Sequence, residues 1–111
     1  MEVNQYQIVL INLDSIPILI GSSEMKKIRP SVIISPDEMN KYLQTIVIAP
    51  MTSNSKSYPT RVPVKHNKTK GWIVLDQIRT IDRKRIVKIF GSLTEKEISE
   101  VKSLIQETFV A

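Results

Sequence analysis

The chain has 111 residues, no cysteine and one histidine, His66, and its formal net charge is +5. A chain of this length is expected to form a single domain over residues 1–111. The composition excludes a disulfide framework, a thiolate metal site and a histidine-rich metal cluster within one chain. The beginning, "MEVNQYQIVLINLD", lacks the regions of a secretory signal, and no apolar run has membrane-spanning length. We therefore expect a cytoplasmic protein without a membrane anchor.

The positive charge is compatible with a polyanionic partner, because lysines and arginines that neutralise phosphates release counterions. Charge alone is weak evidence, since many small proteins are basic for solubility. Its distribution is more informative. Four of the eleven acidic residues, Glu95, Glu97, Glu100 and Glu107, lie after residue 94. The preceding part of the chain is therefore more basic than the average indicates.

Short runs rich in isoleucine and valine predict the strands. The runs cover residues 8–13, 31–35, 45–50, 60–64, 71–75 and 85–93. Ser, Asn, Pro, Gly and Lys separate them, and several runs alternate incompletely, which is typical of strands buried on both faces. About five to seven short strands in a chain of this size favour a small, strongly bent barrel, because closure removes exposed edges.

The segment "SPDE" predicts a short helix after the second strand. Ser35 is expected to be the N-cap, Pro36 the first helical residue and Glu38 its partner in a capping box. The helix is expected to end near Tyr42. Later in the chain, "IDRKR" at 81–85 is compatible with a single helical turn between two strands.

A C-terminal helix is predicted from the segment "TEKE", in which Thr94 and Glu97 form a second capping box. Apolar residues follow at helical spacing: Ile98, Val101, Leu104, Ile105 and Phe109. We interpret this stripe as the face of a helix that closes the barrel and prefer that reading to a partner-binding helix. The expected fold is α+β and mainly β.

The stretch "SSEMKKIRPSVIIS" at 22–35 holds the first group of candidate functional residues. A residue before proline favours extended backbone, so Arg29 is expected at the mouth of strand 31–35. Its planar, permanently charged guanidinium suits phosphate binding. Glu24 lies in the same loop. Local physics alone favours a solvated loop or a surface salt bridge for these charges.

The stretch "APMTSNSKSYPTR" at 49–61 holds the second group. Thr52 and Ser53 follow a strand end, where hydroxyl groups orient an anion or cap a turn. Lys56 and Arg61 add positive charge. Taken alone, a Ser/Thr-type turn with a basic rim is the favoured interpretation.

The stretch "LDQIRTID" at 75–82 holds the third group. Asp76 and Gln77 fall where strand 71–75 ends or bends. Gln77 can read a base edge, and Asp76 can accept a hydrogen bond from a sugar hydroxyl or a base amine. For Arg79 and Asp82 we favour a structural pair that braces the turn.

The stretch "KHNKTKGW" at 65–72 is interpreted as a hairpin loop with a basic surface. His66 in such a loop is more often a bystander than a catalyst. Trp72 can stack on a base, but its place in a strand pattern favours a position in the core.

These groups, in this order, resemble the MazF/PemK (Kid) family of toxin endoribonucleases. "IVLINLD" resembles the first strand of the family. "GSSEMKKIRPSVIISP" resembles its Gly-Ser-Glu…Arg-Pro segment, and "IVIAPMTS" resembles its strand ending in Thr-Ser or Thr-Thr. "YPTRV" and "LDQIRTID" resemble the two blocks that follow. Each piece is unspecific, but their joint order and spacing are specific.

The resemblance implies an SH3-like barrel of the CcdB/PemK type with a C-terminal helix, assembled as a homodimer. It implies cleavage of single-stranded mRNA at short motifs, without a metal or other cofactor, by attack of the 2′-hydroxyl on the adjacent phosphate. It also implies inhibition by a cognate MazE/PemI-like antitoxin. The family's catalytic arginine and threonine fall on Arg29 and Thr52, and its loop glutamate falls on Glu24.

Contacts with RNA are expected at Ser53, Lys56, Asp76 and Gln77. The chain departs from the family in two places. Tyr6-Gln7 stands before the first strand, where the family usually has Gly-Asp, and the apolar loop 14–24 is longer than usual. Two alternatives stay open: a CcdB-like gyrase poison, and a non-catalytic nucleic-acid-binding barrel.

Overall fold

The secondary structure was taken from a computed structural model, which describes residues 2–13, 28–53, 58–66 and 69–110. Its strands are β1 (Gln7–Asn12), β2 (Ile28–Ile33), β3 (Thr45–Thr52), β4 (Arg61–His66), β5 (Thr69–Val74), β6 (Arg79–Asp82) and β7 (Ile86–Ser92). The helices are α1 (Asp37–Tyr42) and α2 (Glu95–Ile105), and α2 continues as a π-helical turn, Gln106–Val110. Two 3-10 turns lie at Leu75–Gln77 and Arg83–Arg85.

All strand pairings are antiparallel. Neighbouring strands follow the order β4-β5-β3-β2-β1-β7, and β6 also pairs with β3. Residues 45–48 of β3 pair with β6, whereas Met51 and Thr52 pair with β5. The predicted mainly β fold is confirmed, although the ladder is an open path within the described residues. Strand β6 was not predicted.

The sheet is buried on both faces, as the incomplete alternation in the sequence indicates. On one face lies a group that we call the barrel cluster: Val3, Val9, Ile11, Leu13, Ile33, Ile46, Ile48, Ile81 and Ile86. On the other lies the helix-side cluster: Ile8, Val32, Ala49, Met51, Val62, Val64, Ile73, Leu75, Leu93 and Val101. Successive residues of β1, Ile8 and Val9, enter different clusters because side chains alternate along a strand.

Helix α2 begins as predicted. The Thr94 hydroxyl accepts a hydrogen bond from the Glu97 N–H, and the Glu97 carboxylate accepts one from the Thr94 N–H at 2.9 Å. Val101 is fully buried in the helix-side cluster, and Ile98 packs beside it. Phe109, however, is 57% exposed. Its predicted place in the stripe is wrong, because the wider π-helical turn rotates it away from the core face.

Helix α1 starts differently from the prediction. Its N-cap is Pro36, and no side chain caps it. The Ser35 hydroxyl donates to Oδ1 of Asn40 and accepts the N–H of Val47 at 3.0 Å. The Asn40 amide donates back to the Ser35 carbonyl at 2.9 Å. The predicted capping box of Ser35 and Glu38 is wrong, because the hydroxyl of Ser35 joins α1 to β3 instead.

Tyr6 has left-handed backbone, with φ of 69°. Glycine adopts this conformation without strain, and another residue costs roughly 1 kcal/mol there. The backbone of Tyr6 donates to the Ile33 carbonyl at 2.7 Å and accepts the Leu93 N–H at 3.0 Å. Burial of its ring raises the pKa of the hydroxyl. The Tyr6 turn therefore ties β2 to the end of β7.

The predicted turn in "IDRKR" is confirmed as the 3-10 turn Arg83–Arg85. Asp82 caps it by accepting the Lys84 N–H at 2.8 Å, and it also accepts from the Gln44 amide at 3.0 Å. These bonds lower the pKa of Asp82, the Lys84 bond having the larger effect. Asp82 therefore braces the turn through these two partners. Within the described part of the chain, no helix has the length and apolarity needed to cross a membrane.

Candidate functional site

Arg29 lies inside a strand. The prediction placed it at the mouth of strand 31–35, but β2 begins at Ile28, and Arg29 stands opposite Ile11 of β1. Its side chain is half-buried. No hydrogen bond or ion pair joins its guanidinium to another residue within the described ranges. The backbone ladder thus fixes the position of the Arg29 main chain, from which the guanidinium extends.

Thr52 is the last residue of β3, the strand next to β2, which carries Arg29. In the β2–β3 ladder, Ile33 pairs with Ile48 and Ser31 with Pro50. The ladder ends at the pair of Ser31 with Pro50, so Arg29 and Thr52 each lie two residues beyond it on their own strands. The two residues expected to act together therefore lie on neighbouring strands, near the same end of the β2–β3 ladder.

Thr52 and Ser53 line a cleft of about 260 Å³. Its other walls are mostly apolar and come from several strands: Ile8, Leu10, Pro30, Met51, Val64, Lys70, Gly71 and Phe90. Thr52 is only 4% exposed, whereas Ser53 follows it in an exposed bend. The cleft therefore presents two hydroxyl-bearing residues, one held in the strand and one at its exposed end.

The hairpin formed by β4 and β5 packs tightly against Thr52. A Cβ atom added to Gly71 would lie 3.3 Å from the carbonyl oxygen of Thr52, closer than such contacts usually are. Glycine at this position lets the two backbones approach. The position of the hairpin relative to Thr52 therefore depends on Gly71.

Asp76 is part of a structural network. Its Oδ1 accepts from the Thr60 hydroxyl at 2.9 Å and lies 3.5 Å from Nε of Arg61. The Arg61 guanidinium in turn stacks on the Tyr58 ring, 4.7 Å from its centroid. Arg61 is 15% exposed and Asp76 37%. Asp76 was predicted to contact RNA. At least one of its carboxylate oxygens instead contacts Thr60 and Arg61 and stabilises the β4–β5 hairpin.

The remaining predicted site residues lie further from Thr52 along the chain or outside the described residues. Gln77 is half-buried in the 3-10 turn that follows β5. Asp76 and Gln77 lie four and five residues beyond Trp72, the partner of Thr52 in the β3–β5 ladder. The structure therefore places Thr52 and Ser53 in one cleft, Arg29 on the neighbouring strand β2, and Asp76 in the turn after β5. Glu24 and Lys56 lie outside the described residues.

The segment 65–72 was expected to be a loop, but most of it belongs to β4 and β5. The ladder pairs Lys65 with Lys70 and Pro63 with Trp72. Trp72 is half-buried, and it lines a surface groove of about 380 Å³ between the hairpin and α2. Its predicted place in the core is therefore wrong. The alternation of Lys70 and Trp72 with Gly71 and Ile73 was the signal that could have placed it on the outer face.

Residues 4–109 match the family described as PemK-like, MazF-like toxin of type II toxin-antitoxin system. The match covers nearly the whole chain, and the chain therefore belongs to this toxin family. A search of the curated proteins gave no significant match.

Solved structures from Deinococcus radiodurans and from mycobacteria have a similar fold. MazF from Deinococcus radiodurans aligns over 100% of this chain and 99% of its own, with a TM-score of 0.79 and 20% identity. A mycobacterial endoribonuclease in complex with its cognate antitoxin aligns over 97% and 95%, with a TM-score of 0.79 and 16% identity. The Mycobacterium tuberculosis toxin MazF-mt6 aligns over 94% and 96%, with a TM-score of 0.75 and 20% identity. At these identities the likeness establishes the fold.

Proposed function

We propose that the protein is an endoribonuclease toxin that cleaves single-stranded mRNA at short sequence motifs without a metal ion. The observation that carries the proposal is the membership of the chain in the PemK/MazF toxin family, and the positions of Arg29 and Thr52 on the neighbouring strands β2 and β3 support it. A strand-held guanidinium beside a hydroxyl suits a phosphate whose negative charge increases during reaction.

The proposed reaction is a transesterification within the RNA. The 2′-oxygen attacks the neighbouring phosphorus, and the bond from phosphorus to the 5′-oxygen of the next nucleotide breaks. The products are a 2′,3′-cyclic phosphate and a 5′-hydroxyl. Arg29 stabilises the charge on the non-bridging oxygens, and the Thr52 hydroxyl donates a hydrogen bond to the same phosphate. The proton of the 2′-hydroxyl passes to a base, and the departing 5′-oxygen takes up a proton.

Other predicted residues take part around this centre. Glu24 is the proposed base, because Arg29 does not readily give up its proton. Ser53, at the exposed end of the cleft, is a proposed RNA contact together with Lys56 and Gln77. Asp76 is the fourth proposed contact, through the carboxylate oxygen that Thr60 and Arg61 leave free.

The assembly is proposed to be a cytoplasmic homodimer of single-domain chains. Phe90 is 42% exposed on β7, which pairs only with β1 among the described strands, and it borders the apolar cleft beside Leu10. A second copy would cover this surface. A cognate antitoxin of the MazE/PemI type is the proposed inhibitor. The mycobacterial relative, which is described as bound to its cognate antitoxin, supports this partner.

The direct test is to incubate the purified protein with a long, varied RNA in the presence of EDTA and to map the fragment ends. We expect cleavage at a recurring short motif, with a 2′,3′-cyclic phosphate and a 5′-hydroxyl at each cut. Intact RNA, or cleavage that disappears with EDTA, would contradict the proposal. Salt-sensitive binding without any cleavage would instead identify a non-catalytic nucleic-acid-binding barrel.

A further inference from the structure

We propose that the outer face of the β4–β5 hairpin is a nucleotide-binding site, in which Trp72 stacks on an RNA base and Lys65 and Lys70 hold the adjoining phosphate. The inference rests on the proposed function, since it extends the RNA track away from Arg29 and Thr52. It assigns a role to three side chains that the cleavage reaction itself does not use.

The geometry of the hairpin brings the three side chains to one face. Pro63 stands directly opposite Trp72, and Lys65 stands directly opposite Lys70. Residues two apart on a strand share a face, so the two pairs are neighbours on the same surface. Both lysines are exposed, and Trp72 is half-buried with its ring in the groove. An aromatic ring beside cationic side chains is the usual pattern for binding single-stranded nucleic acid.

The pairing of the two lysines is informative in itself. Like charges directly opposite each other on neighbouring strands destabilise a sheet. An anion bound between Lys65 and Lys70 would remove that repulsion. Lys65 and Lys70 thus repel each other in the free protein, and a phosphate bound between them would turn this repulsion into two attractive contacts.

The face is continuous with the proposed catalytic residues. Trp72 is also the partner of Thr52 in the β3–β5 ladder. Paired Cα atoms in such a ladder lie about 5 Å apart and direct their side chains to the same side. Lys70 and Gly71 line both the cleft at Thr52 and the groove at Trp72. An RNA strand held at Thr52 therefore meets Trp72 one strand further along the sheet.

The opposite wall of the groove is acidic and sets the side on which RNA lies. Helix α2 contributes Glu97 and Glu100 as well as Lys96. The two oxygens of Glu97 accept the N–H groups of Thr94 and Lys65. Repulsion from these carboxylates directs a phosphate chain toward the hairpin wall, where Lys65 and Lys70 stand.

The chain offers a direct probe, because Trp72 is its one tryptophan. The full-length Arg29→Ala protein, which should bind RNA without cutting it, is titrated with a single-stranded RNA of mixed sequence. We expect saturable quenching of the tryptophan emission. Inorganic polyphosphate, which has no bases, should compete with the RNA but quench little.

Variants separate stacking from charge. Trp72→Ala should weaken RNA binding by about tenfold, and Trp72→Phe should retain most of the affinity. Lys65→Ala and Lys70→Ala should each lower the slope of log K against log salt concentration by about 0.7. Lys41→Ala, at the exposed end of α1, is the matched control and should leave the slope unchanged. Because the quenching experiment uses the native tryptophan, it does not depend on the folding of the Trp72 variants.

Several results would overturn the inference. RNA that binds or is cleaved without quenching Trp72 would refute this site and leave the proposed function standing. Absence of both binding and cleavage would refute the two together. Emission that changes with protein concentration alone would show a second copy on this face, and quenching by polyglutamate but not by RNA would show a peptide site.

Discussion

The two parts of the sheet are held in different ways. Strands β1, β2, β3, β6 and β7 surround the barrel cluster and are joined by ladders of three to five residue pairs. The β4–β5 hairpin is joined to β3 by only two pairs, Met51 with Ile73 and Thr52 with Trp72. Its other supports are the packing of α2 and the hydrogen bond from the Lys65 N–H to Glu97 at 3.1 Å.

This difference leads us to expect different functional roles for the barrel strands and the β4–β5 hairpin. Arg29 belongs to the firmly held part. This suits the role proposed for it, because a fixed charge costs no reorganisation during a reaction. The hairpin carries Trp72 and the Asp76 network and is attached through fewer contacts. We expect changes in the barrel strands to affect stability and the chemical step, and changes in the hairpin to affect RNA affinity and sequence choice.

The largest effect on stability is expected in the barrel cluster. Ile48 is 1% exposed between β2 and β6, and Ile48→Ala leaves a cavity there. The free energy of unfolding should fall by about 2–5 kcal/mol, measured by urea denaturation. Ile48→Val, which removes one methylene, should cost about 0.5–1.5 kcal/mol. A loss below 1 kcal/mol for the alanine variant would show that the barrel is not the firm part.

A smaller loss is expected when α2 is released from the hairpin. Glu97→Ala removes the helix cap and the bond to Lys65 together, at a cost of about 1–2 kcal/mol. Thr94→Ala removes its cap bond but keeps the bond to Lys65, and should cost about 1 kcal/mol. Hydrogen exchange of the β4–β5 backbone amides should therefore be faster in Glu97→Ala and not in Thr94→Ala. Equal exchange rates in the two variants would show that Glu97 does not position the hairpin.

Gly71→Ala is expected to change activity more than stability. The added Cβ at 3.3 Å from the Thr52 carbonyl moves the hairpin by a few tenths of an ångström. Displacements at an active site have large kinetic effects, so RNA cleavage should fall by about tenfold. The melting temperature should change little. Thermal unfolding and initial cleavage rates measured on the same preparation would separate the two effects, and unchanged cleavage would contradict the close packing.

The smallest effect concerns Asp82, far from RNA. Its lowered pKa means that the folded state favours the charged carboxylate. The resulting stabilisation is present above the usual value near 3.8 and is lost as pH falls through the folded pKa. Asp82→Asn should therefore be less stable than the native chain at neutral pH, with a difference that shrinks in acid. A pH-independent difference would assign the effect to packing.

Much of the fold could be predicted from local patterns. The isoleucine and valine runs located six strands, and the Thr94 capping box located α2. β6 was missed because "RTID" has only four positions and a single apolar residue, Ile81. Ser35 was misassigned because its hydroxyl has partners from outside the segment: Asn40 further along the helix and Val47 on β3.

The site was predictable only in part. Arg29 and Thr52 were located through the family resemblance, and the pairing of their strands, β2 and β3, is a long-range feature that no local pattern fixes. The Asp76 network forms because the first residue of β4, Arg61, pairs with Val74 at the end of β5, next to the turn that holds Asp76. Trp72 was predicted to lie in the core because it belongs to a strand. Which face of that strand is buried depends on the side of the hairpin that α2 and the helix-side cluster cover, and the local sequence does not show this.

The central claim is that Arg29 is the phosphate-binding charge of a metal-free ribonuclease. Its most direct test is the rate of cleavage of single-stranded RNA by Arg29→Ala in the presence of EDTA, beside the native chain and Arg29→Lys. We predict a loss of about a hundredfold to a thousandfold for alanine, with an unchanged melting temperature. Arg29→Lys should recover part of the rate, because it keeps the charge without the planar fork. Full activity of a folded Arg29→Ala protein would contradict the account.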